Sequence, residues 1–536
     1  MSASRQLEAP LLTGAERVAF LERVRGGVSP EDFALIAAMS EALPRVVAMV
    51  EQEHMTITKL RHLLFGAKSE QTDRVCPPAT LKAPPPAPRR RKGHGRIKAR
   101  DYTGAQWVQV AHPDLKAGQV CPQCGKGRLR SQARPAIVLR IEASPPIAAT
   151  GYELERLRCD ACGAVFTAPA PAEAGTEKYA PSVAVTIALL RYGTGLPHSR
   201  LARLQHSLGV PLPESTQWEL LVPFAGQAQP VFAALLGLAA DATVIHHDDT
   251  NMRILDLRRP GSPTATLMAP ERTGTFTTSI VAEVQGHIVA LYFTGWQQAG
   301  ENLADVLRQR AAELAPPIQM CDALSRNTRG GLNTLLAHCL AHGRREFVSV
   351  APNFPEECRT VLEALGEVYR FDAEAGQRQL DPQARLRHHQ LHSQPVLARL
   401  KAWMQEKLDQ KQIEPNSGLG QAIGYMLKHW EPLTLFLRQP GAPLDNNICE
   451  RALKMAILHR KNSLSYKTLN GARTGDLFMS LIHTCRLNRI NPFAYLLSLA
   501  THAEQVKTRP HDWLPWHYPR AATAEPKDAD PPRHPG

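Results

Sequence analysis

Two pairs of cysteines constrain the fold of this chain more than any other feature of its sequence. Cys121-Pro-Gln-Cys124 and Cys159-Asp-Ala-Cys162 have the same spacing, are separated by 34 residues, and are each followed by a glycine. Four thiolates suit tetrahedral Zn²⁺ at about 2.3 Å, and a site closed by four thiolates is structural rather than catalytic. We therefore predict a zinc ribbon over 101–170, with strands at 136–142 and 151–158 and with the four cysteines as metal ligands: Cys121, Cys124, Cys159 and Cys162. A redox pair or unrelated thiols are the alternatives.

Length and charge limit the classes of protein to which the chain can belong. Its 536 residues exceed what one hydrophobic core usually spans, so several domains are expected. Lys and Arg number 63 against 50 Asp and Glu, a net charge of +13 that favours a polyanionic partner. Ten cysteines are too few for a disulfide scaffold, and the longest apolar run, Val231–Ala240, is half a membrane span. The first residues also lack the pattern of a signal peptide. We expect a cytoplasmic, multidomain, basic protein without membrane contact.

The N-terminal segment, residues 1–75, contains a short heptad pattern. Leu43, Val50, Ile57 and Leu64 recur at intervals of seven, which gives about three heptads. One amphipathic helix packed within its own domain would produce this pattern, and so would a coiled coil that joins two copies of the chain. Both interpretations stay open, and a homo-oligomer follows from the second.

A basic, proline-rich linker is predicted over 76–100. It holds six prolines and eight Lys or Arg, but neither Asp nor Glu. Proline prevents a regular helix, so the charge cluster would lie on extended chain. The cluster comprises Arg89, Arg90, Arg91 and Lys92. A segment of this kind is either a solvated linker or a non-specific contact to DNA phosphates through counterion release.

Residues 171–238 have the pattern of helices. Residues 200–207, a turn at Gly209 and a second helix from Pro213 form a helix-turn-helix-like unit. This unit could read DNA, or it could be ordinary helical packing.

Several segments after residue 239 have the character of strands. Residues 242–247 and 252–257 are predicted as consecutive strands, and 279–293 as a hairpin with its turn at Gln285-Gly286. A helix over 300–314 and a short apolar strand over 317–321 follow. Antiparallel strands, then a helix, then a further strand are the order of a ribonuclease-H-like fold.

Carboxylates lie at the ends of the first and the last of these strands. Asp248 follows the first strand and Asp322 follows the last. Such a pair can hold hydrated Mg²⁺, and two ions about 3.5–4 Å apart would stabilise an in-line displacement at phosphorus. A third acid is needed, typically from a helix, and the candidate is Glu450, with Asp445 or Asn446 as the helix cap. An aspartate at a strand end or a glutamate at a helix start is common on its own, but these acids in this order on a basic chain are less common.

Five motifs occur along the chain in a fixed order. They are Leu60-Arg-His-Leu-Leu-Phe-Gly-Ala-Lys-Ser-Glu, the four-cysteine ribbon, Asp248-Asp-Thr, Ala337-His-Cys-Leu-Ala-His-Gly-Arg-Arg-Glu-Phe, and Leu444-Asp-Asn-Asn-Ile-Cys-Glu-Arg-Ala-Leu-Lys. Together they resemble the bacterial DDE transposases of the insertion-sequence-66 family, over about residues 43–500. The family usually has Asp-Glu-Thr at the first acid, whereas here Asp249 replaces the glutamate.

The resemblance implies a DNA transposase that cuts element ends and transfers strands. It implies a metal-binding triad of Asp248, Asp322 and Glu450, in which Asp248 bridges two Mg²⁺ (or Mn²⁺) ions and each of the other acids completes one shell. It also implies two kinds of partner, namely DNA (the terminal repeats and the target) and accessory proteins encoded with the same element. The implied location is the nucleoid of a bacterial cytoplasm.

The spacing of the acids predicts an insertion in the catalytic domain. The 128 positions from Asp322 to Glu450 exceed what a plain ribonuclease-H-like fold needs. The expected organisation is a multidomain α+β chain with the catalytic domain at 239–353 and 438–500, a helical insertion at 354–437 and a tail at 501–536. The end of this tail, from residue 518, is expected to be disordered. Cys339-x-x-His342 lies before the insertion, where packing is favoured over a second zinc site, and Arg344 and Arg345 beside it could meet phosphate or solvent.

Basic residues also follow Glu450. Those predicted to contact DNA are Arg451, Lys454, Arg460 and Lys461. Lys454 lies four residues after Glu450 on the same helix face, so a simple salt bridge is the alternative for that lysine. Two other functions remain compatible with the sequence: a DNA-binding zinc protein with an inert catalytic domain, and a metal nuclease that cuts without joining.

Overall fold

The computed structural model describes residues 14–40, 71–76, 109–111, 113–130, 137, 145–158, 160, 162, 164–258, 274–328 and 331–523. Five predictions fall outside these residues: the heptads at 43–64, the basic cluster at 89–92, the strand over 136–142 apart from residue 137, the zinc ligand Cys159 and the end of the tail at 524–536. The disorder expected from residue 518 is wrong for Tyr518–Thr523, which is helical. Within the described residues the chain is a mixed α+β protein, as the sequence predicted.

The N-terminal third contributes short elements. Helix α1 spans Gly14–Val24, residues 30–40 are helical, and a single helical turn spans Thr72–Val75. Strand β1 (Arg156–Arg158) pairs antiparallel with β2 (Val165–Thr167). The strand predicted over 151–158 is therefore present only at its end.

Three helices precede the main sheet: α2 (Pro181–Ala188), α3 (His198–Ser207) and α4 (Glu214–Ala240). Gln217, fully buried, joins α4 to α3, because its side-chain amide donates to the carbonyl oxygens of His198 (3.1 Å) and Leu212 (3.0 Å). By length and composition alone α4 could cross a membrane. However, Leu221, Val231 and Leu235 are fully buried in the main hydrophobic core, so α4 serves as a core helix.

The main sheet has five strands: β3 (Val244–Asn251), β5 (Phe276–Val284), β6 (His287–Gly295), β7 (Ile318–Cys321) and β8 (Leu335–His338). Their order is β6-β5-β3-β7-β8. Strand β5 is antiparallel to both of its neighbours, β3 and β6. On the other side of β3, strand β7 runs parallel to β3, and β8 runs parallel to β7. The predicted hairpin is present, and its turn residues Gln285 and Gly286 both have positive φ, as a tight two-residue turn requires.

The strand predicted over 252–257 is wrong. Only Arg253–Ile254 (β4) is extended, and it pairs with β9 (Ser465–Tyr466) outside the main sheet. A 3₁₀ turn, Asp256–Arg258, follows. The helix predicted over 300–314 is shorter in the structure, where α5 spans Ala299–Leu307.

The remaining elements are helical: α6 (Leu340–Val350), α7 (Pro355–Gln377), α8 (Pro382–Asp409), α9 (Gly418–Lys428), α10 (Asn447–Ser463), α11 (Leu469–Leu487), α12 (Pro492–Thr501) and α13 (Ala503–Thr508). One hydrophobic core packs α4, α10 and α11 on β3, β5 and β6. A second packs α7, α8 and α9 on β7 and β8, and it includes Cys76 of the N-terminal segment. The sheet is therefore shared between two cores, and β3 and β7 meet where these cores adjoin.

The outer edge of β6 is paired with side chains of α11 instead of a further strand. Four backbone N–H groups donate to acceptors that recur every four residues on the helix, over 2.7–3.0 Å: Ile288 to Asn488, Ala290 to Thr484, Tyr292 to Ser480, and Thr294 to Asp476. We call these four pairs the edge ladder. An uncovered edge would offer the same N–H groups to another chain, so the edge ladder prevents strand addition at β6.

Candidate active site

Asp248 lies in the second half of β3, and Asp322 directly follows β7, the strand that runs parallel beside it. The parallel register pairs His246 of β3 with Met320 of β7, so two residues further along each strand Asp248 is level with Asp322. Burial first, and then the negative charge of Asp322, raises the pKa of Asp248 to about 7. Two carboxylates that resist joint ionisation suit a divalent cation, whose charge would stabilise both anions.

Asp249 faces away from this pair. Successive residues of a strand point to opposite faces of the sheet. The Asp249 carboxylate accepts from the backbone N–H of Ala299 at the start of α5 (3.1 Å) and lies 3.1 Å from the guanidinium of Arg326. Asp249 therefore has partners that tie β3 to α5, whereas Asp248 faces Asp322.

Asp322 is held by the loop that follows it. Its Oδ1 accepts from the backbone N–H of Leu324 (3.2 Å) and from the side-chain amide of Asn327. Asn327 is fully buried, and its carbonyl oxygen accepts from Gln319 on β7 (2.9 Å). The carboxylate is thus oriented by two donors of the following loop, one of which, Asn327, is itself held by β7.

Glu450 lies in the first turn of α10, as predicted, but its carboxylate is paired with Arg345. The two guanidinium N–H groups of Arg345 donate to Oε1 (3.2 Å) and Oε2 (3.1 Å), and Nδ1 of His342 lies 3.6 Å from Oε1. Lys454, the partner considered from sequence, is exposed. Glu450 is therefore oriented by the α6 helix and not by its own.

Asn446 joins the α10 helix to the strand that carries Asp248. It is fully buried, its amide donates to the carbonyl oxygen of His247 (3.0 Å), and its Oδ1 lies 3.1 Å from Nδ1 of His246. Its backbone N–H also donates to the thiol of Cys339 (3.2 Å). Asn446 is the N-cap residue of α10, as the sequence suggested, but its side chain makes no capping bond and instead contacts β3.

Asp445, the other predicted cap, accepts from the backbone N–H of Asn447 (3.1 Å). On the next turn the Cys449 thiol donates to the carbonyl oxygen of Ser279 (3.3 Å), and Ser279 is the residue paired with Asp248 across β3 and β5. The start of α10 is therefore fixed against the same sheet region as the two aspartates.

Cys339, His342 and Glu450 form the one group of three potential metal ligands found within the described ranges, with ligand atoms within 4.8 Å of one another. Cys339 is fully buried, and burial raises the pKa of its thiol to about 11. A cation at this group would compete with Arg345 for Glu450. The three predicted catalytic acids do not form such a group, because Glu450 faces His342 and Arg345.

The predicted DNA-contact residues on α10 divide into two sets. Arg451, Lys454 and Lys461 are exposed, and their spacing places them along one face of the helix. Arg460 is engaged inside the protein, where one guanidinium N–H group donates to Thr250 Oγ1 (2.9 Å) and to the Asn251 carbonyl (2.7 Å) at the end of β3. An internal role for Arg460 had not been suggested by its sequence pattern.

The first cysteine pair forms a tight turn. The backbone N–H of Gly125 donates to the Cys121 carbonyl (2.9 Å), and Gly125 has a positive φ of 65°. Backbone N–H groups of Gly127 and Lys126, and then the Cys121 thiol, lower the pKa of Cys124. Both sulfurs therefore meet within one knuckle. In the second pair Cys162 is exposed and Cys159 lies outside the described residues.

Comparisons with known proteins cover most of the chain. Residues 177–474, more than half of it, match the family model described as "Transposase IS66 family". This region contains Asp248, Asp322 and Glu450, and it excludes the cysteine pairs and the basic linker.

Two similar proteins come from Sinorhizobium fredii (strain NBRC 101917 / NGR234). The uncharacterized protein y4jD is 27% identical over 515 residues, which cover 89% of this chain and 96% of that protein. The uncharacterized protein y4hP is 25% identical over 512 residues, with 88% and 89% covered. The similarity therefore extends beyond the region of the family model to nearly the whole chain.

Proposed function

Because the chain belongs to the IS66 family of transposases, we propose that it cuts and joins DNA by metal-dependent phosphoryl transfer at Asp248, Asp322 and Glu450. The observation that carries this proposal is the adjacency of Asp248, within β3, and Asp322, directly after the parallel strand β7. DNA is the partner that the family implies, and the net charge of +13 is compatible with it.

We assign the central domain to the ribonuclease-H-like fold. Two features support this assignment: three antiparallel strands with β3 innermost, and two further strands parallel to β3 on its other side. In this arrangement an acid on β3 and an acid directly after β7 lie beside each other on neighbouring strands. The α6–α9 helices, three of which lie in the predicted insertion, separate Asp322 from the Glu450 helix along the chain.

The proposed reaction has two displacements at phosphorus. In the first, water attacks at the element end, the phosphodiester bond breaks, and the DNA 3′-oxygen leaves as a hydroxyl. In the second, that hydroxyl attacks a phosphodiester of the target and releases another 3′-hydroxyl. Mg²⁺ or Mn²⁺ held by these carboxylates would lower the pKa of the attacking oxygen and stabilise the leaving oxygen. The protein residues position the cations, and Asp249 and Asn446 hold β3 and α10 in place.

Phosphates along the DNA would meet the exposed face of α10. Arg451, Lys454 and Lys461 lie on this face, close in sequence to Glu450, and they carry charge into solvent. Arg460 is a less suitable candidate than the sequence suggested, because it already bonds to Thr250 and Asn251. The linker residues Arg89, Arg90, Arg91 and Lys92 stay predicted DNA contacts, and accessory proteins stay predicted partners.

The experiment that tests the function uses purified protein, DNA carrying the ends of the element that encodes it, and a supercoiled target plasmid with Mg²⁺ or Mn²⁺. A transposase yields cleaved ends and joined products. A nuclease yields only nicks or breaks, and an inert DNA-binding protein yields neither. Mapping the cut ends and the junctions therefore separates the three functions.

We predict that Cys121→Ser releases zinc and unfolds the ribbon. An incomplete thiolate set binds Zn²⁺ poorly, and metal binding is part of the folding free energy of such a site. Elemental analysis should give one zinc per wild-type chain and much less for the variant. Gln123→Ser, which changes a non-ligand inside the same knuckle, should retain the metal. A wild-type protein without stoichiometric zinc would rule out the ribbon.

We also predict that Ile57→Asp weakens self-association. A charge in the apolar stripe of Leu43, Val50, Ile57 and Leu64 disfavours a coiled coil, and a transposase must hold two DNA ends together. Sedimentation equilibrium should give a lower mass for this variant than for the wild type. Gln52→Asp adds the same charge off the stripe and should leave the mass unchanged. Equal masses for all three proteins would contradict the coiled coil and favour an amphipathic helix that packs within its own domain.

A further inference from the structure

Arg345 and Glu450 form a two-pronged ion pair at the candidate active site. Both nitrogens of the guanidinium fork reach a carboxylate oxygen, over 3.2 and 3.1 Å. A fork of this shape binds a carboxylate and a phosphate equally well, because both present two oxygens in one plane. The side chains of Arg345 and Glu450 are 36% and 23% exposed, so a ligand from solvent can reach the pair.

His342 faces the same carboxylate from the preceding turn of α6. Its Nδ1 is buried, lies 3.6 Å from Oε1 of Glu450, and has no hydrogen-bond partner among the residues that the structure describes. Its Nε2 lies 3.5 Å from Arg345. Glu450 therefore does not satisfy every donor at this place, because Nδ1 of His342 is oriented toward Oε1 of Glu450 but lies too far from it for a good hydrogen bond.

The neighbouring arginine has a different role. Arg344 donates to Thr72 Oγ1 (3.3 Å), which fastens the N-terminal segment to α6. Arg345 is the one whose guanidinium bonds to Glu450.

While both oxygens of Glu450 accept from Arg345, the carboxylate is oriented toward α6, and this ion pair competes with a metal shell shared with Asp248 and Asp322. To release Glu450, another anion of similar shape would have to take its place at Arg345. In a protein that acts on DNA, this anion would be a phosphodiester of the bound substrate. Its binding would release Glu450 when the bond to be cleaved is present.

We propose that His342 and Arg345 form a binding site for a DNA phosphate, and that Glu450 occupies this site until the phosphate displaces it. The role given to Glu450 after displacement rests on the proposed function, whereas the phosphate site itself does not. In this arrangement the carboxylate set is completed only when DNA is bound, so the free protein is held inactive.

The test is a double-mutant cycle on DNA affinity in EDTA, where no cleavage occurs. The probe is a double-stranded oligonucleotide carrying an element end, measured at several salt concentrations. Arg345→Gln should weaken binding about tenfold and reduce the salt slope by about 1, as the loss of one phosphate contact predicts. Glu450→Gln should tighten binding about three- to tenfold, because Arg345 is released. In the double variant the gain from Glu450→Gln should disappear.

The matched control is Arg344→Gln, which removes the same charge one residue away. It should leave the gain from Glu450→Gln intact, and melting temperatures should verify that each variant is folded. If Arg344→Gln abolishes that gain as strongly as Arg345→Gln does, or if the effects of Arg345→Gln and Glu450→Gln are additive, the phosphate site is refuted. Additive effects in a protein that still cleaves element ends would refute this inference alone. A non-additive cycle in a protein that never cleaves or joins DNA would support the phosphate site and refute the proposed catalysis.

Discussion

Asp248→Asn is expected to abolish both DNA cleavage and strand transfer. The change keeps the size of the side chain but removes the charge that binds a cation beside Asp322. The metals would supply several kcal/mol of transition-state stabilisation, so the rate should fall on the order of 10³-fold, at a tenfold change per about 1.4 kcal/mol. The measurement is cleavage of element-end DNA in Mg²⁺, at matched zinc content and matched DNA occupancy.

Asp249→Asn is the matched control for this result. The asparagine can still accept from the Ala299 N–H group, and only the ion pair with Arg326 is lost. We expect a cost of about 1–2 kcal/mol in stability and a small change in cleavage rate. Full activity of Asp248→Asn with an inactive Asp249→Asn would move the first metal ligand by one residue.

Glu450→Gln extends the same prediction to the third acid. It should eliminate cleavage and joining while DNA binding persists, because the cations of α10 and of the linker are unchanged and one negative charge is lost. Asp322→Asn should behave like Asp248→Asn. A fully active Glu450→Gln variant would exclude the DDE mechanism for this chain.

Asp476→Ala is expected to destabilise the protein by about 2–5 kcal/mol. Asp476 accepts from the Thr294 N–H group (2.7 Å) and hydroxyl (2.6 Å) at the edge ladder. Its removal eliminates two buried hydrogen bonds, at about 1–3 kcal/mol each, and leaves the Thr294 N–H group unpaired, whereas the Thr294 hydroxyl retains Thr277 Oγ1 at 2.8 Å. Denaturant unfolding of the two proteins measures the difference. An unchanged free energy of unfolding would mean that the Thr294–Asp476 pair of the edge ladder contributes nothing to stability.

The pH dependence of stability separates the charge of Asp476 from its hydrogen bonds. Burial raises the pKa of Asp476 to about 7, well above its ordinary value of 3.8. The folded state therefore binds this proton more tightly than the unfolded state does. Acidification from pH 7 to 4 should stabilise the wild type, at this site, by about 1.4 kcal/mol per unit.

Asp476→Asn should lack this contribution, because asparagine does not titrate and can still bond to Thr294. The free energy of unfolding of Asp476→Asn should therefore exceed that of the wild type at pH 8, and the difference should shrink toward pH 4. Parallel pH profiles for the two proteins would show that Asp476 does not titrate in the folded state between these pH values.

Local sequence patterns predicted several parts of the fold well. The alternation of apolar residues and the Gln285-Gly286 turn predicted the β5–β6 hairpin, because both features depend only on neighbours along the chain. The same holds for Asp322 at the end of its strand and for Glu450 at the start of a helix. Asp248, predicted to follow its strand, lies within β3, because pairing with β5 continues to Asn251. The prediction of a strand over 252–257 was wrong, because Arg253–Ile254 pairs with Ser465–Tyr466, more than 200 positions away along the chain.

The sequence by itself determined which residue types lie at the ends of which elements, since periodicity and turn chemistry are local. Only the tertiary structure decided what those residues face. Arg345 meets Glu450 across 105 positions, Asn446 meets His246 across 200, and Arg460 meets Thr250 across 210. Likewise the four-residue spacing from Asp476 to Asn488 has meaning only beside the N–H groups of β6. Buried polar groups must find partners, but the chain can bring those partners from any distance, so only the folded arrangement specifies them.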